Sequence, residues 1–221
     1  MSNTAERDRV ANTFDTPEHA ANHSSEIDSR HHQRSRDCVL AALQSVPSGS
    51  SILDLPCGTG RLTQLLIDQG YRYTGADVSS RLVDAARAKF QSLADPASSD
   101  QVLGFDVEDI TAMSYEDGQF DAVVVSRLFH HFTQAETRVD ALSELRRVCH
   151  GPIIVFFTNV WTLLGIKFLL VHLRDNPMQR RPISLTELRS NCREAGLEIK
   201  ETFATRGRYN KEWYAVLQRL G

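Results

Sequence analysis

At 221 residues the chain is one domain's worth, and 41% hydrophobic with 24% charged residues is an ordinary globular balance, which excludes wholesale disorder and two full enzymes. With 25 Lys+Arg against 28 Asp+Glu, a net charge of -3 sets up no long-range positive field, which disfavours nucleic acid as the main partner. Cys38, Cys57, Cys149 and Cys192 show none of the paired spacings of zinc or thioredoxin-like redox motifs, so no metal is expected and a reduced, cytoplasmic setting fits; no secretory signal opens the chain.

Residues 1–28 are polar, rich in Ser, Asn, Asp and Glu, and are read as a flexible N-terminal segment; residues 29–221 are read as a single domain. Apolar residues at helical spacing begin in a helix from Ser29 through Leu43 that stops before Pro47. Short apolar runs then alternate with helical stretches, the pattern of βαβ units and a parallel sheet. Strands are expected at Ser51 to Leu55, Tyr71 to Gly75, Gln101 to Phe105, Phe120 to Val125 and Ile153 to Phe157. Helices are expected at Arg61 to Gln69, Ser79 to Leu93 and Ala135 to Val148. The tail reads as a helix from Ser184 to a capping Gly196, then strands Leu197 to Thr202 and Glu212 to Gln218. With no helix between them, those two strands form an antiparallel pair at a sheet edge.

Pro152 to Leu173 carries a single charge, Lys167, and is nominally long enough to cross a bilayer. Thr158 and Asn159 divide it into a buried β-branched strand and a separate helix, Trp161 to Leu173, so no membrane span is expected. That helix is apolar nearly all round. Core packing, a cover for a hydrophobic ligand and a homodimer face are the readings open to it, with 159–182 as a substrate-covering insertion. Arg174, Arg180, Arg181, Arg189 and Arg193 follow it, as a solvated face or as a grip on an anionic head group.

The first strand runs into Asp54-Leu55-Pro56-Cys57-Gly58-Thr59-Gly60, and a helix opens at Arg61. A glycine-rich strand-to-helix turn lets a ligand approach the backbone and surrounds it with N–H groups that no helix turn satisfies. Where the dinucleotide fingerprint needs its third glycine stands Thr63, and no Gly-Lys-Ser/Thr closes a P-loop. Further on, Asp77 closes the second strand, where a carboxylate can accept from both hydroxyls of a ribose, and Asp106 closes the third, with Glu108 and Asp109 as competitors. The fourth strand leads into Ser126-Arg127-Leu128-Phe129-His130-His131.

This ordered series resembles the class I S-adenosylmethionine-dependent methyltransferases, in their small-molecule subgroup, over about Arg30 to Arg219. Pro56 stands where the family's first motif has its first glycine; it removes an N–H but keeps the carbonyl that a ligand ammonium would use. The resemblance implies a Rossmann-like three-layer α/β sandwich whose mostly parallel seven-stranded sheet ends in an antiparallel strand. It implies S-adenosyl-L-methionine as cofactor, bound by Asp54, Pro56, Cys57, Gly58, Thr59 and Gly60, with Gly58 under its methionine arm. The ribose falls to Asp77, the adenine amine to Asp106 and its ring edge to the Val107 backbone, with Val78 also counted as cofactor-binding. Ser126 and Arg127 close the site. Arg34, on the helix that lies over the cofactor in relatives, is the candidate for the methionine carboxylate. His130 and His131 are the candidate catalytic bases, or else they cap the loop or line the pocket wall.

Methyl transfer from a sulfonium asks the protein mainly to align the reactants and exclude water. A small hydrophobic acceptor is expected. Nucleic-acid base methylation would want an Asn/Asp-Pro-Pro-aromatic stretch where Ser126-Arg127-Leu128-Phe129 stands, and the glutamate pair of protein arginine methylation is absent. The alternatives are a non-catalytic binder of S-adenosylmethionine or S-adenosylhomocysteine, and a nicotinamide-dependent oxidoreductase, which Thr63 disfavours.

Overall fold

The computed structural model describes residues 5, 6, 9, 30–93, 100–167, 170, 181–206 and 209–221. Most of the polar segment 1–28 and part of the insertion 159–182, including Arg174 and Arg180, therefore lie outside the described residues. The elements in chain order are α1 (Arg30–Leu43), β1 (Ser51–Asp54), α2 (Thr63–Asp68), β2 (Arg72–Asp77), α3 (Ser80–Leu93), β3 (Val102–Val107), β4 (Ala122–Val125), a 3-10 turn (Phe129–His131), α4 (Ala135–Val148), β5 (Ile153–Thr158), α5 (Leu185–Glu194), β6 (Leu197–Ala204) and β7 (Glu212–Arg219).

The seven strands form one sheet in the order β3-β2-β1-β4-β5-β7-β6. Pairing is parallel from β3 across to β5, and β7 runs antiparallel to both its neighbours, β5 and β6. The expected edge pair is therefore present, with its later strand inserted next to β5.

The central strands are apolar without alternation because both their faces are covered. All four residues of β4 and all six of β5 are buried. Successive side chains point to opposite faces of a strand. Leu53, Val123, Val125, Val155 and Phe157 meet Leu142 and Leu145 of α4 and Leu188 of α5 on one face. On the other, Ile52, Val124, Ile154 and Phe156 meet Val39 and Leu43 of α1, Leu66 of α2 and Val83 of α3. This is the three-layer sandwich. Its helix ends are specified locally where the chemistry allows: the Ser184 hydroxyl caps α5 by accepting from Glu187 N at 3.0 Å.

One side chain contradicts the surface pattern of its helix. Arg138 of α4 is wholly buried; its Nε donates to Asn191 Oδ1 at 2.8 Å, Nη1 to Phe132 O at 2.7 Å and Nη2 to Glu187 Oε1 at 2.6 Å. It ties α4, α5 and the loop before α4 into one unit.

The described part of the apolar helix also departs from a core element. Trp161, Leu163, Leu164, Ile166 and Leu170 are exposed, Trp161 by 75%. Core packing is thereby corrected for these residues, which follow the Asn159–Ile183 bridge with their apolar side chains turned to solvent. Among the described residues no helix is long and apolar enough to cross a membrane.

Candidate active site

Five parallel strands end on one side of the sheet, and the tips of β1, β2 and β4 hold the cavity. Asp54 lies in register with Gly75 of β2 and Val124 of β4, while Ala76 and Asp77 pair with Asp106 and Val107 of β3. The turn after β1 is pinned between its neighbours: Leu55 N donates to Val124 O at 3.0 Å, and Cys57 N to Ala76 O at 2.7 Å. Gly58 and Gly60 take φ of 55° and 73°, the left-handed region that side chains resist. A Cβ on Gly58 would meet nothing within 4 Å, so the glycine faces open space; one on Gly60 would press to 3.0 Å from Thr63 Oγ1.

That open space is a cavity of about 720 Å³, part of it open to solvent. The turn lines it with Asp54, Pro56, Cys57, Gly58 and Thr59; Asp77 and Val78 come from the end of β2, and Ser126 and Arg127 from the loop after β4. These nine were expected from sequence. Arg61, Leu62, Leu82 and Leu128 also line it and were missed, although Arg61 directly follows Gly60 and Leu82 lies one turn into the helix after Asp77. Gly60 shapes the turn without lining the cavity.

The two carboxylates are held differently. Asp77 Oδ2 accepts from Gly58 N and Oδ1 from Ser79 N, each at 3.0 Å. A carboxylate oxygen offers two lone-pair sites, so these bonds orient Asp77 and leave it suited to accept from a diol. Asp54 is fully buried, its Oδ2 accepting from Tyr73 OH at 3.1 Å while Tyr73 accepts in turn from Thr63 Oγ1 at 3.0 Å. Burial pushes the Asp54 carboxyl up to about 7; the Tyr73 hydrogen bond and the Arg61 charge oppose that rise, and the Asp77 charge adds to it. Asp54 Oδ1 and Thr59 Oγ1 are buried with no hydrogen-bond partner among the described residues. The Cys57 thiol is held well above its ordinary value, by burial first and then by the charges of Asp54, Asp77 and Asp106. Three strand-end aspartates thus converge electrostatically on the glycine turn.

The loop after β4 is strained and braced. Arg127 has φ of 61°, costly for a residue with a Cβ. Ser126 Oγ shares a hydrogen bond with Tyr214 OH at 3.2 Å, and Tyr214 OH shares a second with Ser35 Oγ of α1 at 2.5 Å.

Five expected residues are not brought to the cavity. Arg34 instead lines a separate groove with Asp37, Cys38, Ala41 and residues 202–205. The reason is helical phase: Ser35, Val39 and Ala42 form the buried face of α1, which turns the 34–38–41 row toward β6. His130 and His131 are 9% and 6% exposed and off the cavity lining; their rings stack on each other at 4.2 Å, and His130 packs edge-on against Phe156 at 6.0 Å. The 3-10 turn folds both into the core, so Ser126 to Leu128 make the wall in their place. Asp106 Oδ2 accepts from Tyr115 OH at 2.9 Å, and Val107 is 56% exposed. The competitors at that strand end serve local turns: Glu108 accepts from Ser114 N at 3.0 Å and Asp109 from Thr111 N at 2.9 Å.

A family model described as a methyltransferase domain matches residues 52–151, the stretch from β1 to the start of β5 that carries the tips of β1 to β4. The fold resembles magnesium protoporphyrin IX methyltransferase of Synechocystis PCC 6803 with bound SAH, at a TM-score of 0.75 and 20% identity over 95% of this chain and 98% of that one. Residues 52–151 therefore carry a methyltransferase domain. By sequence, tRNA (carboxymethyluridine(34)-5-O)-methyltransferase ALKBH8 of Mus musculus is 33% identical over 57% of this chain but only 17% of its own length. The ubiquinone biosynthesis O-methyltransferase of an Azoarcus species is 25% identical over 69% of this chain and 66% of its own. The chain spans no more than 35% of the first three curated relatives it matches.

The methyltransferase cofactor is S-adenosylmethionine, and the residues present fit it. Asp54 Oδ1 is a buried acceptor lacking a donor, which an ammonium would supply, and Asp77 is poised for ribose hydroxyls beside it. The Gly58 face of the cavity has room for the chain between them.

Proposed function

We propose that the protein methylates a small, apolar acceptor, with Asp54 and the Pro56–Gly60 turn holding the methionine arm of the cofactor and Asp77 its ribose. The observation that carries the acceptor class is the exposed apolar row Trp161, Leu163, Leu164 and Ile166. This row springs from the end of β5, beside the site-bearing β4, and the chain returns where Arg181 N donates to His130 O at 2.7 Å. An apolar surface that follows a strand end on the cavity's side of the sheet suits a hydrophobic substrate better than a polyanion. The net charge of -3 agrees, as does the Azoarcus relative, whose name is that of an enzyme of ubiquinone biosynthesis.

Bound cofactor supplies a methyl carbon already activated by its sulfonium. The chain's own work is then to hold both ends of that ligand, to exclude water, and to leave the acceptor's lone pair in line with the methyl. Asp106 serves the adenine edge once Tyr115 yields, and Val107 lies beside it. His130 and His131, buried behind the wall, are assigned to holding the loop; a base role for either fails if His130→Ala and His131→Ala both keep normal turnover.

The test is incubation with methyl-tritiated cofactor and two acceptor pools, prenylated phenols and quinols in one arm and bulk tRNA in the other. Label in the organic extract is expected. Label confined to tRNA, the acceptor class named for the mouse relative, would overturn the small-molecule reading, and no transfer to either pool would favour a binder without an acceptor site.

A further inference from the structure

The loop that forms the cavity wall at Ser126 to Leu128 continues through the 3-10 turn to α4, and its main chain is gripped from outside. Four consecutive carbonyls accept from three arginines: His130 O from Arg181 N at 2.7 Å, His131 O from Arg9 Nη2 at 2.8 Å, Phe132 O from Arg138 Nη1 at 2.7 Å and Thr133 O from Arg181 Nη1 at 2.9 Å. The next amides belong to Glu6. Its Oε1 accepts from Thr133 N at 2.7 Å and from the Thr133 hydroxyl, and its Oε2 from Gln134 N at 3.2 Å and Thr137 Oγ1 at 2.7 Å.

A helix N-terminus leaves its first amides unsatisfied, and the residue before the helix usually accepts one through a short polar side chain. Gln134 occupies that place on α4 and makes no side-chain cap bond. A carboxylate far upstream instead binds the two amides just before the helix and the Thr137 hydroxyl in its first turn, and its negative charge suits the positive end of the helix. Glu6 is 1% exposed, and Arg9 Nη2 reaches its Oε1 at 3.7 Å while capping His131 O. Burial works against the Glu6 charge, yet its hydrogen bonds from Thr133, Thr137 and Gln134 hold its carboxyl below the ordinary glutamate range.

His131 N donates back to Leu128 O at 2.8 Å, so whatever fixes the 130s fixes the last residue of the wall. The wall contains Arg127 in its left-handed conformation, which persists only while its surroundings hold it. We propose that Glu6 and Arg9 are positioning residues of the cofactor site: these two side chains clamp the loop and thereby set the Ser126–Leu128 wall. The inference rests on reading the cavity as the cofactor site.

Titration calorimetry of S-adenosylhomocysteine into the full chain tests it, together with amide hydrogen exchange of the ligand-free protein. Glu6→Ala and Arg9→Ala should each weaken binding by about fivefold, the equivalent of losing one helix cap. Glu6→Gln, which keeps an acceptor but not the charge, should fall between, and Arg9→Lys should restore most of the affinity. Without ligand, Glu6→Ala should speed exchange at the Thr133 and Gln134 amides by about tenfold or more. Variants that melt earlier yet bind S-adenosylhomocysteine as tightly as wild type would overturn the proposal and leave Glu6 an ordinary stabilising contact. Wild-type protein that binds no S-adenosylhomocysteine would refute the cofactor reading instead, while the exchange arm still decides the clamp. Should Glu6→Ala not fold, Arg9→Ala, which truncates a partly exposed side chain, decides the question in the same way.

Discussion

Asp54→Asn should separate stability from binding. The Asp54 carboxyl is buried, and its value rises from 3.8 to about 7, a displacement of roughly three units at 1.36 kcal/mol each, or about 4 kcal/mol as an upper bound. The sign follows from which state holds the proton. At pH 8 both folded and unfolded chains carry the charge, and the folded state bears its full burial cost. As pH falls through 7 toward 4, the folded protein takes up a proton that the unfolded chain leaves off, and the cost is relieved; below about 3.8 both states are protonated and the relief is complete. Asparagine has no charge to bury and keeps an oxygen for the Tyr73 hydroxyl. Even half the bound, about 2 kcal/mol, gives a melting temperature about 4–8 °C above wild type at pH 8 for a domain of this size. The gain should shrink at pH 5, where wild type is itself protonated. S-adenosylhomocysteine binding should fall by about tenfold to a hundredfold, since a charged hydrogen bond to the ligand ammonium is lost. Differential scanning calorimetry at pH 8 and 5, with and without ligand, reads both effects. An Asp54→Asn protein no more stable than wild type at pH 8, or one that binds the ligand unchanged, would refute the reasoning.

The same carboxyl sets the pH dependence of the wild type: affinity for S-adenosylhomocysteine, measured by calorimetry, should drop about tenfold for each pH unit well below 7, and a flat profile from pH 7.5 to 5.5 would contradict it. Asp77→Ala removes the acceptor for Gly58 N and Ser79 N, so the glycine turn loosens, and affinity should fall by about a hundredfold along with the ribose contact. Tyr214→Phe unties Ser35 of α1 from Ser126 of the cavity wall; chemical denaturation should show a loss of about 1–2 kcal/mol with no change in the slope against denaturant. Arg138→Ala leaves Asn191 Oδ1 and Phe132 O without their buried donor while Glu187 keeps Arg181, a loss of about 2–4 kcal/mol, which should lower the melting temperature by at least about 4 °C.

The sheet and the cavity floor were readable from the chain because they depend on short-range pattern. Expected strands lie within a few residues of β1 to β7, since a parallel strand covered on both faces must be an apolar run, and Ile153–Thr158 is buried at every position. The glycine turn and the two aspartates Asp54 and Asp77 follow from the same logic: strand ends in a parallel sheet converge, so residues far apart in number meet if each closes a strand. Helix-borne and loop-borne residues follow no such rule. The apolar stripe of α1 told which side is buried but not which neighbour the flanking rows meet, and Arg34 faces β6 rather than the cavity. A double histidine after β4 reads as chemistry, yet one 3-10 turn suffices to fold both rings against Phe156 and each other.

What local pattern cannot carry is a partner supplied from elsewhere. Arg138 lies in the first turns of α4 and would pass as a solvated residue; only the arrival of α5, bringing Glu187 and Asn191, makes its burial tolerable. Glu6 is the same case at longer range. It sits in a polar stretch whose composition argues against order, and its place is decided by four donors on Thr133, Gln134 and Thr137 that exist only once α4 has formed. The dependence runs both ways, since α4 begins at a glutamine that makes no cap bond of its own. If Glu6 and Arg9 hold the wall as proposed, truncation before Arg30 should cost cofactor affinity as well as stability. Equal S-adenosylhomocysteine binding by the truncated and full chains, measured where both are folded, would separate the two and undo that coupling.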